Sequence, residues 1–207
     1  MRSKLFFLVS AIVCLSASSG VALTSAEIQH STRCRNQQSI PDCVMLLKSS
    51  NAQLRENAVF HLGRTSDKSA LPYLFHVLSS PAPNMRQTAA YSFGNVIEPE
   101  DSYAKPAIPK LVKMLSADTK GERMSAIFAL ARIGNSASTK GVVKYLIPYF
   151  NYSDESFRQE SVCRLRHMKK HADQAAPYLF PLLKDRNPTV QHCAYETLQA
   201  LGYKVKI

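Results

Sequence analysis

Apolar residues return along this chain in a fixed register. Leu74, Leu111, Leu146 and Leu179 each stand four before a second large apolar residue, Leu78, Leu115, Phe150 and Leu183, and Cys43 with Leu47 opens the same series. A spacing of four puts both members on one helix face. Twelve residues after the first member comes Arg55, Arg86, Arg123, Arg158 or Gln191. Three further on stands a small residue, Ala58, Ala89, Ala126, Ser161 or Ala194, and four beyond that Leu62, Phe93, Leu130, Leu165 or Leu198. This is a second helix, and its small column lets it pack close to its neighbours. The first helix is marked by Pro41, Pro72, Pro109 and Pro177, with Lys144 in the remaining unit. Proline is tolerated near a helix start because the first N–H groups have no intrahelical acceptor.

The arginine column recurs at intervals of 31, 37, 35 and 33 residues, with the variation falling in connections, where loops absorb it. Short turns such as SSPAPN, SADTKG and KDRNP join the two helices of a unit. Neither helix can bury its apolar stripe alone, so successive hairpins must stack. The predicted fold is all-α, a short right-handed α-solenoid of about five helical hairpins. The expected units are 39–67, 68–103, 104–139, 140–171 and 172–203, preceded by an irregular cap at 27–38 and followed by a tail at 204–207.

The segments LPYLFHVLSSPAPNMRQTAAYSFGNV and IPKLVKMLSADTKGERMSAIFALARI resemble the HEAT repeat, in particular the short HEAT-like class of phycobilisome lyases. The resemblance extends over residues 39–203 and implies a HEAT-like or armadillo-type superhelix. It says little about function, since such arrays serve as scaffolds, adaptors, lyase subunits and a few enzymes. It also implies a structural role for Arg55, Arg86, Arg123 and Arg158, each bonding the turn of a neighbouring unit, with Asp118, Asp154 and Asp185 as the expected acceptors. HEAT-type iron hydroxylases depend on His-Glu pairs, whereas His61, His76 and His192 lie in different units here and none is expected to pair with a glutamate.

Composition narrows the functional classes. Seven glycines are scattered without forming a phosphate-cradling loop, and H-E-x-x-H, C-x-x-C and G-x-S-x-G are all missing from the sequence. No reactive constellation or cofactor is implied, and the chain is expected not to be an enzyme. His167 and His171 stand four apart, but no third metal ligand is placed near them and Lys169 and Lys170 would repel a cation. The carboxylates Glu98, Glu100 and Asp101 lie in a loop expected to be a solvated linker without fixed geometry.

Residues 1–26 begin with Arg2 and Lys4, continue through an apolar run from Leu5 to Leu15 and end in small residues, the pattern of a secretory signal. Cleavage after Ala22, with Gly20 three back, or after Ala26, with Thr24 three back, satisfies the small-x-small requirement; Ala22 is preferred. Export to a periplasm or to the outside is expected, with no stable membrane span after cleavage. Removing this segment takes away two cations and no anion from a chain of formal net charge +11. Four cysteines remain, at 34, 43, 163 and 193, and in an exported chain they allow three pairings. Cys34 with Cys43 is the natural first choice because the two are close in sequence, leaving Cys163 with Cys193. Asn151-Tyr152-Ser153 is a formal glycosylation sequon, meaningful only in a eukaryotic source.

Recognition must come from positions the repeat does not already commit to its core. Five residues after the arginine column stand Phe60, Tyr91, Phe128, Cys163 and Glu196, so three successive aromatics stand in one register on the inner, second-helix face, where they either fill the core between units or, if exposed, serve as interface anchors. The fourth unit departs furthest, with Arg164, Arg166, Lys169 and Lys170 where other units hold small or apolar residues. Together these residues suggest an exported, non-catalytic scaffold or adaptor that docks a protein partner bearing an acidic patch. The alternative is a basic module that binds an anionic polymer or envelope surface, with nucleic acid disfavoured by export. A HEAT-like lyase or glycosylase-type enzyme is a third reading.

Overall fold

The computed structural model describes residues 22–136 and 139–206; the side chains of Lys140, His167, Lys169 and Lys170 are outside that description. The segment 1–26, expected to be a secretory signal, therefore lies largely outside the described residues. Ten α-helices and several 310 segments, with no strand among the described residues, form a stack of helical hairpins. The α-helices are α1 Ser25–Gln37, α2 Ile40–Leu46, α3 Ala52–Leu62, α4 Leu71–Val77, α5 Pro83–Val96, α6 Ala104–Met114, α7 Lys120–Ile133, α8 Glu155–Leu165, α9 Ala176–Leu179 and α10 Pro188–Ala200.

The second helices α3, α5, α7, α8 and α10 begin where the repeat places them, and side-chain caps start four of the five. Asn51, Thr119, Asp154 and Asn187 each accept a hydrogen bond from an N–H in the first turn of the helix that follows. Apolar columns supply the core: Leu62, Phe93, Leu130, Leu165 and Leu198 are fully buried, as are Ala58, Ala89, Ala126, Ser161 and Ala194 beside them. Two glycines set how closely second helices approach. A methyl group on Gly63 would stand 2.4 Å from Ser92 Cβ, and one on Gly94 would stand 2.7 Å from Phe128 Cε1.

Four expectations need correction. The segment 27–38 is not irregular; α1 is a capped helix tied to α2, with Asp42 accepting from Arg33 Nε at 2.9 Å and close to His30 Nδ1 at 2.5 Å. The Arg33 and Ser39 hydrogen bonds hold the Asp42 carboxyl well below the usual carboxylate range. Second, the first helices of units four and five are mostly 310: Lys140–Tyr145 with Ile147–Tyr149, and α9 continuing into Pro181–Lys184. Pro148 and Pro181 lack the N–H that an α-helical turn needs, and Pro181 would press its ring on the carbonyl of Pro177. Unit three withstands the same residue, since Pro109 lies inside α6, which begins five residues earlier.

Third, the arginine column bonds mainly the turn of its own unit. Nη1 of Arg55 donates to the carbonyls of Ser49 and Ser50, that of Arg86 to Ser80 and Pro81, that of Arg123 to Ala117 and Asp118, and that of Arg158 to Tyr152 and Ser153. Each arginine thus satisfies carbonyls left over where the chain turns between helices. Only the Nε side reaches the next unit, from Arg86 to Glu122 at 2.7 Å and from Arg158 to Asp185 at 2.9 Å. Asp154 is taken instead by Lys120. Fourth, the acidic loop has a definite geometry: Lys68 Nζ bonds Glu98 and Asp101, Asp101 accepts the Glu98 N–H, and Ser136 donates to Glu100.

The four cysteines among the described residues fall into two bonded pairs. Cys34 is joined to Cys43, linking α1 to α2, and Cys163 to Cys193, linking α8 to α10.

Candidate functional site

Along the second-helix face, the column of Phe60, Tyr91 and Phe128 is presented unequally. Phe60 on α3 and Tyr91 on α5 are 43% and 47% exposed, whereas Phe128 on α7 is 8% exposed. Phe128 is therefore not the accessible anchor expected from its register. Tyr91 stacks on its ring with centroids 5.2 Å apart, Arg164 lies over it at 4.6 Å, and the bare backbone at Gly94 lets the ring settle against α5. Phe128 forms the floor of the face, with Tyr91 as its outer layer.

Cations surround these rings. Arg164, from α8, is held by Glu160 through an Nε–Oε1 contact of 2.7 Å, so its guanidinium is oriented on two sides. Arg64 stands over the Phe60 ring at 5.8 Å. Arg132 donates from Nε to the Gly94 carbonyl at 3.1 Å, bridging α7 to α5 beside Tyr91. Sequence reasoning passed over Arg64 and Arg132, although each stands four residues after a member of the aromatic column; Arg132 shares the helix of Phe128, and Arg64 follows the end of α3 within reach of the Phe60 ring. Arg166 follows the last residue of α8, is exposed and pairs with Glu196 of α10 at 3.6 Å. It stands in the column of Gly63, Gly94 and Ala131 and, like Gly63, is the C-cap residue of its helix. The side chains of Lys169 and Lys170 lie outside the described residues.

Cys163 and Glu196, which continue the aromatic column, close the face at its other end. Cys163 is bonded to Cys193, and Glu196 receives Arg166 together with His192, whose Nε2 is 3.3 Å away. A His-Glu pair thus exists in this chain, against expectation. It is a single i,i+4 surface pair, and no cluster of three or more metal-ligating side chains occurs among the described residues. His167, the partner proposed for His171, has no described side chain.

A cavity of about 440 Å³ opens near the turns of units two and three, lined by Ser80, Arg86, Lys110, Met114 and Glu122 among others. Its charges are largely engaged within the fold. Arg86 is bonded to buried Glu122, and Lys110 meets Ser79 and the Phe75 ring. The second-helix face is different in kind: it offers exposed aromatic surface and oriented guanidinium groups, the residue types that dominate binding hot spots.

Residues 40–131 match the family profile of HEAT repeats. The chain matches no curated protein in sequence. Its structure superposes on that of an engineered protein at a TM-score of 0.66 and 18% identity, covering 94% of this chain and 96% of the other. A designed armadillo repeat protein in complex with the peptide (KR)4 gives 0.67 and 19%, covering 96% and 95%. The complex of CpcE and CpcF of phycocyanin lyase from Nostoc sp. PCC7120 gives 0.56 and 18%, covering 86% and 70%. Residues 40–131, the first three hairpins, thus match HEAT repeats, and the stack as a whole shares the fold of armadillo- and HEAT-type solenoids.

Proposed function

We propose that this protein is an exported, non-catalytic scaffold or adaptor that holds a protein partner on its second-helix face, the partner presenting an apolar side chain among acidic residues. The observation that carries the reading is the pair of half-exposed rings, Phe60 and Tyr91, set among Arg64, Arg132 and Arg164. An aromatic side chain of this size costs solvation when left in water, and a guanidinium beside it favours a carboxylate over another cation. One structural relative holds the basic peptide (KR)4; the arginines here call for a ligand of the opposite charge. Export rests on the basic start, apolar run and small residues of the first 26 positions, and among the described residues no helix is long and apolar enough to cross a membrane.

A photo-crosslinking side chain placed at Tyr91 and, as control, at exposed Lys113 on α6 tests the reading in the exporting cell. Adducts to one protein at position 91 and none at 113 are expected. Equal labelling at both positions, or labelling only at 113, refutes the face.

A second reading, an anionic polymer or envelope surface as ligand, is favoured by one observation. Phe180 meets Tyr203 edge-on at 5.4 Å, both exposed, with Lys184, Lys204 and Lys206 nearby in sequence. Retention on a polyanion column that Phe180→Ala with Tyr203→Ala reduces at constant charge supports that reading; unchanged retention dismisses it.

A further inference from the structure

We infer that the exported chain is cut between Ala22 and Leu23, and that the fold needs the residues which a cut at the competing site, after Ala26, would remove. The inference rests on the export reading above and on the way α1 begins. Thr24 is the N-cap of α1, and its hydroxyl accepts the Glu27 N–H at 3.1 Å while the Glu27 carboxylate accepts the Thr24 N–H at 2.9 Å. Both halves of a capping box are present, which satisfies two backbone donors at once. The Thr24 carbonyl also accepts the Ile28 N–H at 3.1 Å, opening the helical ladder. Leu23 packs against the apolar core.

The capped end is in turn fastened to the first repeat. The second Glu27 carboxylate oxygen accepts the Ser49 hydroxyl in the turn between α2 and α3. Its hydrogen bonds to Ser49 and Thr24 keep the Glu27 carboxyl below its ordinary range, so it is anionic as a cap requires. A cut after Ala26 would delete Leu23 and Thr24 and would place an α-ammonium group on Glu27 itself, against the positive end of the helix dipole. A cut after Ala22 removes none of these groups and leaves the new ammonium group two residues ahead of the first helical position.

The full-length chain, expressed in a host that exports it, is recovered and its N-terminus read by intact mass and terminal sequencing. A chain starting at Leu23 is expected. A chain starting at Glu27 overturns the inference while leaving export standing; a chain that keeps Met1 and stays inside the cell overturns the export reading on which the inference rests. In parallel, oxidised chains starting at Leu23 and at Glu27 are melted, and the shorter should melt lower by roughly 2–4 °C, the shift that loss of one cap produces in a protein of this size. Thr24→Ala in the longer chain should reproduce most of that loss. Equal melting temperatures in all three would show that the cap places no requirement on the cut.

Discussion

Arg158 of α8 grips Asp185 with two parallel hydrogen bonds, Nε to Oδ2 at 2.9 Å and Nη2 to Oδ1 at 3.1 Å, and both side chains are almost wholly buried. The same guanidinium donates from Nη1 to the Tyr152 and Ser153 carbonyls. One residue therefore closes its own turn and clamps the next hairpin. Removing Arg158 leaves a buried carboxylate with its main partner gone, so Arg158→Ala should destabilise by about 3–5 kcal/mol, read by denaturant unfolding. A loss below about 1 kcal/mol would show that the pair is solvated and dispensable.

The pair also predicts a pH dependence. Burial alone would raise the Asp185 carboxyl, but the Arg158 bonds and the Asn187 N–H outweigh it, and the group ends below its ordinary value of 3.8. A carboxylate depressed in the folded state contributes stability above its unfolded pKa and loses it as pH falls through the folded one. Stability should be flat near neutrality and fall below about pH 4, and Asp185→Asn should make that fall shallower while lowering stability at pH 7. Parallel curves for the two proteins would show that Asp185 does not contribute to the acid limb.

Close packing of the second helices makes Gly94 a test of the stack. In an exposed helix interior, glycine to alanine gains roughly 1 kcal/mol from propensity. Here the added methyl meets Phe128 at 2.7 Å and the Ala129 Cα at 3.1 Å. Gly94→Ala should therefore destabilise, by about 1–3 kcal/mol, as overpacking does. A stabilised variant would mean that α5 and α7 stand further apart than described.

How much of this was legible in the sequence follows from what periodicity can and cannot carry. The columns of Leu62, Phe93, Leu130, Leu165 and Leu198 are core because a spacing of four on a helix admits no other common face, and the hairpins follow from them. The proline column marks where the first helices start, but Pro148 and Pro181 stand outside it, four residues further on than Lys144 and Pro177, where the missing N–H and the ring interrupt the α-helical ladder. The i−6 and i−5 carbonyls that the arginines bind carry no side-chain signature, so the bonds within a unit were invisible. Phe60, Tyr91 and Phe128 share one register, and what separates them is the neighbouring unit: Arg164 and Tyr91 cover Phe128, and no column records that. Arg64 and Arg132 were legible, at four residues beyond the rings.

The two cysteine pairs should differ in what they stabilise. Cys34–Cys43 spans 9 residues and Cys163–Cys193 spans 30, and in the chain-entropy picture the longer loop contributes more, about 3–4 kcal/mol against about 2–3. Mass mapping without reduction should find both links in protein recovered under oxidising conditions. Replacing Cys163 and Cys193 together by serine should lower stability more than replacing Cys34 and Cys43; the reverse order would show that α1 has a larger part in holding the stack than loop length implies.

The division of labour on the second-helix face can be separated by kinetics once a partner is in hand. Phe60 and Tyr91 are the exposed rings, so Phe60→Ala with Tyr91→Ala should speed dissociation and change association little, since the desolvated contact exists only in the formed complex. Phe128→Ala should instead unfold part of the stack, because its ring is floor and not surface. The guanidinium groups act earlier. Arg64→Glu with Arg132→Glu should slow association steeply at low salt and much less at high salt, where ions screen charges beyond about 3 Å at 1 M. Arg166 is already paired with Glu196, so its reversal should have the smaller effect. If the ring variants and the charge variants both bind as the wild type does at either salt, the partner does not use this face, and the cavity beside Arg86 and Lys110 becomes the surface to probe.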